Sequence, residues 1–153
     1  MEGIDKLFSG MRAASSGMSA ERVRIDTVAK NIANANTTRT PEGGPYKRLR
    51  VVFSPRQPEP LFLLPLDPAQ RAQAQLGEGV RVGKVLPDPT APKMVFDPGH
   101  PDADAKGYVA MPNISIVNEM VDLISASRAY EANVTAINAA KSMAIKALEI
   151  GKA

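Results

Sequence analysis

All thirteen prolines of this 153-residue chain fall between Pro41 and Pro112. A proline-free stretch of forty residues precedes them and one of forty-one follows. Proline lacks the N–H a helix needs and its ring clashes with the preceding turn, so long helices are confined to the two ends. The expected fold is mainly α, with a small β-rich middle of short strands and loops. The expected divisions are an N-terminal helix over 1–38, a Pro/Gly-rich middle over 39–112 and a C-terminal helix over 113–153.

Both ends carry heptad patterns. One row of the first is Ile4, Met11, Met18, Ile25, Ile32; the other is Leu7, Ala14, Glu21, Val28, Ala35. Nine of these ten are apolar, which is the a/d pattern of a coiled-coil seam. The last stretch repeats it with Ile116, Leu123, Tyr130, Ile137, Ala144 and with Met120, Ser127, Val134, Lys141, Leu148. Ser115 stands at the N-cap position, and Glu119 and Asp122 suit the positive end of a helix dipole. Lys146, Gly151 and Lys152 suit the other end. The two seams are expected to pair as a coiled coil.

That pairing does not account for the small residues. Gly3, Gly10 and Gly17 recur every seven residues in the first helix, each costing about 0.8–1 kcal/mol relative to alanine. An isolated helix of this kind is expected to be mostly disordered. The glycine stripe invites a close backbone, and helices of other subunits are the expected source. In the last helix Ala126, Ala129, Ala132, Ala136, Ala139, Ala140 and Ala147 lie off both rows, which permits neighbours on several sides. Alanine is also simply a good helix former.

Composition narrows the chemistry. The chain has no cysteine or tryptophan and a single histidine, His100, which excludes disulfides, thiol nucleophiles and multi-histidine metal sites. Nineteen basic against sixteen acidic residues are spread evenly, and the densest basic cluster, Lys47, Arg48 and Arg50, is small for tracking phosphates. No apolar run approaches the roughly 20 residues of a membrane span. The one site-like cluster is Asp97-Pro-Gly-His100-Pro-Asp102-Ala-Asp104, and its Asp, Gly and Pro are the residues of turns. The middle has strand candidates at Tyr46 to Phe53, Gly79 to Leu86, Met94 to Phe96 and Tyr108 to Met111. Asn31, Asn34 and Asn36 close the first helix, by termination or, for Asn31 especially, as buried amides that fix register.

The run Ser16-Gly-Met-Ser-Ala-Glu-Arg22 followed by Asn31-Ile-Ala-Asn-Ala-Asn-Thr37 resembles the N-terminal signature of bacterial flagellar rod and hook axial proteins. Phe96 to Pro101, Gly107 to Asn113, Glu119 to Asp122 and Ser125 to Val134 resemble the rest of that family's chain, which leaves an insertion at about 55–77. The resemblance implies a structural subunit with no catalytic residue, cofactor, metal, nucleic acid or small-molecule substrate. It implies a basal-body location in the periplasmic rod, export through the flagellar type III apparatus without a cleaved signal, and the rod proteins FlgB, FlgF and FlgG with the adaptor FliE as partners. The terminal helices would form an inner tube and the middle an outer layer. The expected subunit-packing residues are Met18, Ile25, Val28, Asn31, Ile32, Asn34, Asn36, Met120, Leu123, Tyr130, Val134, Ile137 and Leu148. The alternatives are a cytoplasmic coiled-coil adaptor binding partner helices, and an enzyme acting on peptidoglycan through acidic residues.

Overall fold

A computed structural model describes residues 2–56 and 79–150. Helix α1 spans Glu2–Ala33 and helix α2 spans Ile116–Ile150, both within the proline-free stretches. Strands β1 (Leu49–Pro55) and β2 (Val80–Pro87) pair as one two-stranded sheet; β3 (Lys93–Phe96) and β4 (Tyr108–Met111) pair as another. All four strands fall on segments expected to form them. The insertion expected at about 55–77 and the helix end expected at Gly151 and Lys152 lie almost wholly outside the described residues. No helix among the described residues is long and apolar enough to cross a membrane.

The chain divides into two compact units, Met1–Arg22 with Phe53–Gly83 and Ser127–Ala153, and Val23–Val52 with Lys84–Ala126. In the first, α1 approaches α2 closely: a Cβ built on Gly17 would stand 2.9 Å from Asn133 Nδ2. The Asn133 side chain of the chain's own second helix therefore fills the space that a side chain at Gly17 would take. Gly10 faces open space. Ala20 and Ala140 are the buried apolar residues of this unit among the described residues. Ser16 donates to Ala13 O at 2.7 Å and accepts from Val80 N at 3.0 Å, which seats the start of β2 on α1. Gly79, at φ +106°, lies against Ser16 and Ala13 with no room for a side chain.

In the second unit, antiparallel β3 and β4 set Val95 opposite Val109 and Phe96 opposite Tyr108. Val109 is fully buried, and the Phe96 and Tyr108 rings meet edge to face at 5.3 Å, a favoured aromatic geometry. Asp97 to Lys106 connects the strands as a tight loop. Asp97 Oδ1 accepts from Gly99 N, Asp104 Oδ1 accepts from Lys106 N and Tyr108 N, and Asp102 Oδ2 accepts from Thr38 Oγ1. Asp97 and Asp104 thus serve turn geometry, and Asp102 ties the loop to Thr38.

The helix faces refine the heptad reading. On α1 the described members of the expected rows turn inward, with Met18, Ile25 and Ile32 half-buried and Val28 buried, but Ala20, Thr27 and Asn31 outside those rows are buried as well. On α2 the row of Ile116, Leu123, Tyr130, Ile137 and Ala144 is half-buried at Leu123, Ile137 and Ala144 but exposed at Ile116 and Tyr130, and its expected partner row is not the inner one either. Met120 and Leu148 are exposed, while the row one residue earlier, Glu119, Ala126, Asn133 and Ala140, faces inward. Ala126 is 0% exposed. A reading by bulk favours Met and Leu, whereas a close helix approach takes small and hydrogen-bonding residues, because large ones would hold the backbones apart.

Candidate functional site

The largest buried polar groups of the second unit converge where α1, β1 and α2 meet. Asn31 sits near the end of α1 at 1% exposure, and Glu119 in the first turn of α2 is equally buried. The chain beyond α1 is led back to them by local hydrogen bonds. Asn34 Nδ2 donates to Lys30 O and Asn34 Oδ1 accepts from Thr37 Oγ1, which closes the helix. Gly43 and Gly44, both at positive φ, then turn the chain, and Tyr46 N donates to Thr37 O at 3.0 Å. Consecutive left-handed residues favour glycine, since a Cβ is strained there.

Asn31 uses its whole hydrogen-bonding capacity. Its Nδ2 donates to Leu49 O at 2.9 Å and to Glu119 Oε2 at 2.9 Å. Its Oδ1 accepts from Leu49 N at 2.9 Å and from the Tyr46 hydroxyl at 3.2 Å. An amide has two donors and two acceptor positions, and all four are filled. With Leu49 the side chain copies the pairing of a neighbouring strand. The other Glu119 oxygen accepts from Arg48 Nε at 2.6 Å, and Arg48 Nη2 donates to Asp122 at 3.3 Å. Asp88 lies 3.9 Å from Arg48 Nη1, and its backbone N donates to Arg48 O at 2.7 Å. No buried side-chain N or O among the described residues lacks a partner.

The electrostatics follow. Burial, and then the Glu119 charge, push the Tyr46 hydroxyl above its ordinary value, because both disfavour a phenolate. Asp88 is held below its ordinary value first by hydrogen bonds from the side chain and backbone of Thr90, then by Arg50 and Arg48. This arrangement supplies no activated nucleophile, and among the described residues no cluster could hold a metal. It ties three segments in one register.

Of the residues expected to pack subunits, Asn31 is the centre of this internal tie, joined by partners the sequence pattern did not single out, Arg48 and Tyr46. Asn34 serves helix termination, and Asn36 is exposed. Val28 is buried; Met18, Ile25, Ile32, Leu123, Val134 and Ile137 are half-buried; Met120, Tyr130 and Leu148 are exposed. The signal for Glu119 was present as an acidic first-turn residue, but its burial was not, since first-turn acids are commonly solvated caps.

Comparison with known proteins identifies the class. Residues 11–39 match the model of the family described as Flagella basal body rod protein, and residues 105–150 match Flagellar basal body rod FlgEFG protein C-terminal. Asn31 lies in the first match, Glu119 and Asp122 in the second. Over 148 residues the chain is 50% identical to the flagellar basal-body rod protein FlgC of Borreliella burgdorferi, covering 94% of this chain and 97% of that one. It is 43% identical to FlgC of Bacillus subtilis, with 95% and 98% covered, and 39% identical to FlgC of Salmonella typhimurium, with 91% and 93% covered. The chain belongs to the flagellar basal-body rod protein FlgC family. That family is structural, not enzymatic.

Proposed function

We propose that the chain is a structural subunit of the flagellar proximal rod, polymerising through its terminal helices into the hollow shaft that crosses the periplasm. The observation that carries this is the distribution of side chains on α2. Its inward row is Glu119, Ala126, Asn133 and Ala140, and apart from the half-buried Leu123, Val134 and Ile137 its large apolar residues face out. In the second unit Ile116, Val117, Met120, Val121 and Ile124 are exposed, and in the first Met143, Ile145, Leu148 and Ile150. A soluble monomer rarely leaves such a series open, and a helix that becomes buried among neighbours requires it.

On this reading 1–38 and 113–153 build the inner tube and 39–112 the outer layer. The export route is the flagellar type III apparatus without a cleaved signal, and the neighbours are FlgB, FlgF, FlgG and FliE. Exposed Met120, Tyr130 and Leu148 then pack against other subunits, while Asn31 holds the helix end that presents them. The test is recovery of the chain in purified basal bodies, with loss of rods on deletion of its gene. A chain that stays in the cytoplasm of flagellated cells, bound to partner helices, would instead support the adaptor reading.

A further inference from the structure

The loop between β3 and β4 carries the chain's one histidine, and its ring serves as a hydrogen-bond acceptor. Nδ1 of His100, which is half-buried, accepts from Asp102 N at 3.1 Å. Pro101 between them has no N–H and a fixed φ, so the Asp102 amide is the first donor after His100 and is held near the ring. A ring nitrogen can accept only while it carries no proton. The bond therefore requires the neutral imidazole, and among the described residues no ion pair holds the ring in its charged form.

Asp102 carries this bond to a second segment. The Asp97 and Asp104 carboxylates accept from the backbone N–H groups of Gly99, Lys106 and Tyr108. Asp102 Oδ2 instead accepts from the Thr38 hydroxyl at 2.8 Å, 64 residues away in the chain. The amide that His100 holds thus belongs to the residue that joins the loop to the segment after α1. The other charged groups of the loop are Asp97, Asp104 and Lys106, and those next along the chain from Thr38 are Arg39 and Glu42. Carboxylates, lysine and arginine ordinarily change charge outside about pH 5–8, whereas an imidazole changes within it.

We propose that His100 is a pH-sensitive latch for the β3–β4 loop. With the imidazole neutral, Nδ1 holds the Asp102 amide and Asp102 holds Thr38. Protonation puts an N–H at Nδ1 opposite the N–H of Asp102, so two donors meet and the bond is lost. The imidazolium is then drawn to Asp102, the loop carboxylate not engaged by backbone N–H groups, in competition with Thr38. The loop is released from the segment after α1 as pH falls through the imidazole range, and is latched again as it rises. The latch is internal to one chain and does not depend on the rod-subunit reading.

Nuclear magnetic resonance of the full chain between pH 5 and 8 tests it, with the His100 ring protons reporting their own titration. The Asp102 and Thr38 resonances are expected to shift with the ring's midpoint. Protection of the Asp102 amide, corrected for the intrinsic pH dependence of exchange, is expected to fall at least about fivefold at the acid end. His100→Asn sets an acceptor oxygen as far from Cβ as Nδ1 but carries no titrating group, so both residues should stay constant over the range. Asp102→Ala should uncouple Thr38 from the ring. Unchanged protection within the β3–β4 pairing shows that the hairpin stays intact in each chain. Parental Thr38 resonances that ignore the ring's titration overturn the latch, as does an Asp102 amide unprotected at pH 8. So does parental behaviour of Asp102 and Thr38 in His100→Asn, or of Thr38 in Asp102→Ala, because another group then controls them.

Discussion

Asn31 shows how much one side chain can specify. Four hydrogen bonds tie it to β1, Tyr46 and Glu119, and leaving buried groups unpaired costs about 1–3 kcal/mol each. Asn31→Leu strands the Leu49 N–H and a Glu119 oxygen, and is expected to destabilise the second unit by about 2–4 kcal/mol in urea denaturation. Asn31→Asp keeps the acceptors but faces Glu119 with a like charge, and is expected to destabilise as well. Tyr46 adds a pH dependence whose sign is fixed. Its hydroxyl titrates higher folded than unfolded, so its contribution is complete below the ordinary value of 10.0 and is lost as pH rises through the folded value. Urea midpoints measured from about pH 8 to pH 11 should fall more steeply for the parent than for Tyr46→Phe. The phenylalanine variant should start lower by about 1 kcal/mol for the lost hydrogen bond to Asn31.

At the scale of the element, the glycines of α1 separate into two kinds. Gly10 has open space around it, so Gly10→Ala is expected to add about 0.8–1 kcal/mol of helix propensity and raise helix content in circular dichroism. Gly17 is filled by Asn133, whose Nδ2 donates to Ala129 O at 3.0 Å. Alanine there must displace that amide, so Gly17→Ala should gain less than Gly10→Ala, and Gly17→Leu should disrupt the first unit. Equal gains from both alanines would show that α1 and α2 are not in contact at Gly17. The heptad rows of α1 were legible because Met18, Ile25, Ile32 and Val28 are bulky as well as inward. The inner row of α2 was not, because alanine and a carboxylate give no hydrophobic signal, and their burial depends on how near the other helix comes.

For the whole molecule, the exposed series on α2 and the glycine-rich α1 make order depend on neighbours. Circular dichroism of the dilute chain is expected to report clearly less helix than the 32 and 35 residues of α1 and α2. A fully helical monomer melting in one cooperative step would refute this. Val117→Asp and Val121→Asp alter only exposed positions, so they should leave the spectrum unchanged and abolish incorporation into rods. Ile25→Asp and Ile137→Asp, at half-buried positions, should block incorporation too, with a loss of monomer structure that the first pair lacks.

The placement of prolines, the heptads and the β-branched runs determined the elements, since chain stiffness and periodicity are properties of neighbouring residues. They also excluded thiol and multi-histidine chemistry by residue count alone. Only the tertiary structure decided that Asn31, Arg48 and Glu119 form one tie, and which side of α2 is inside. Residues 71 and 88 positions apart meet there, and which partner satisfies a buried polar group depends on three segments arriving together, information that no local pattern contains.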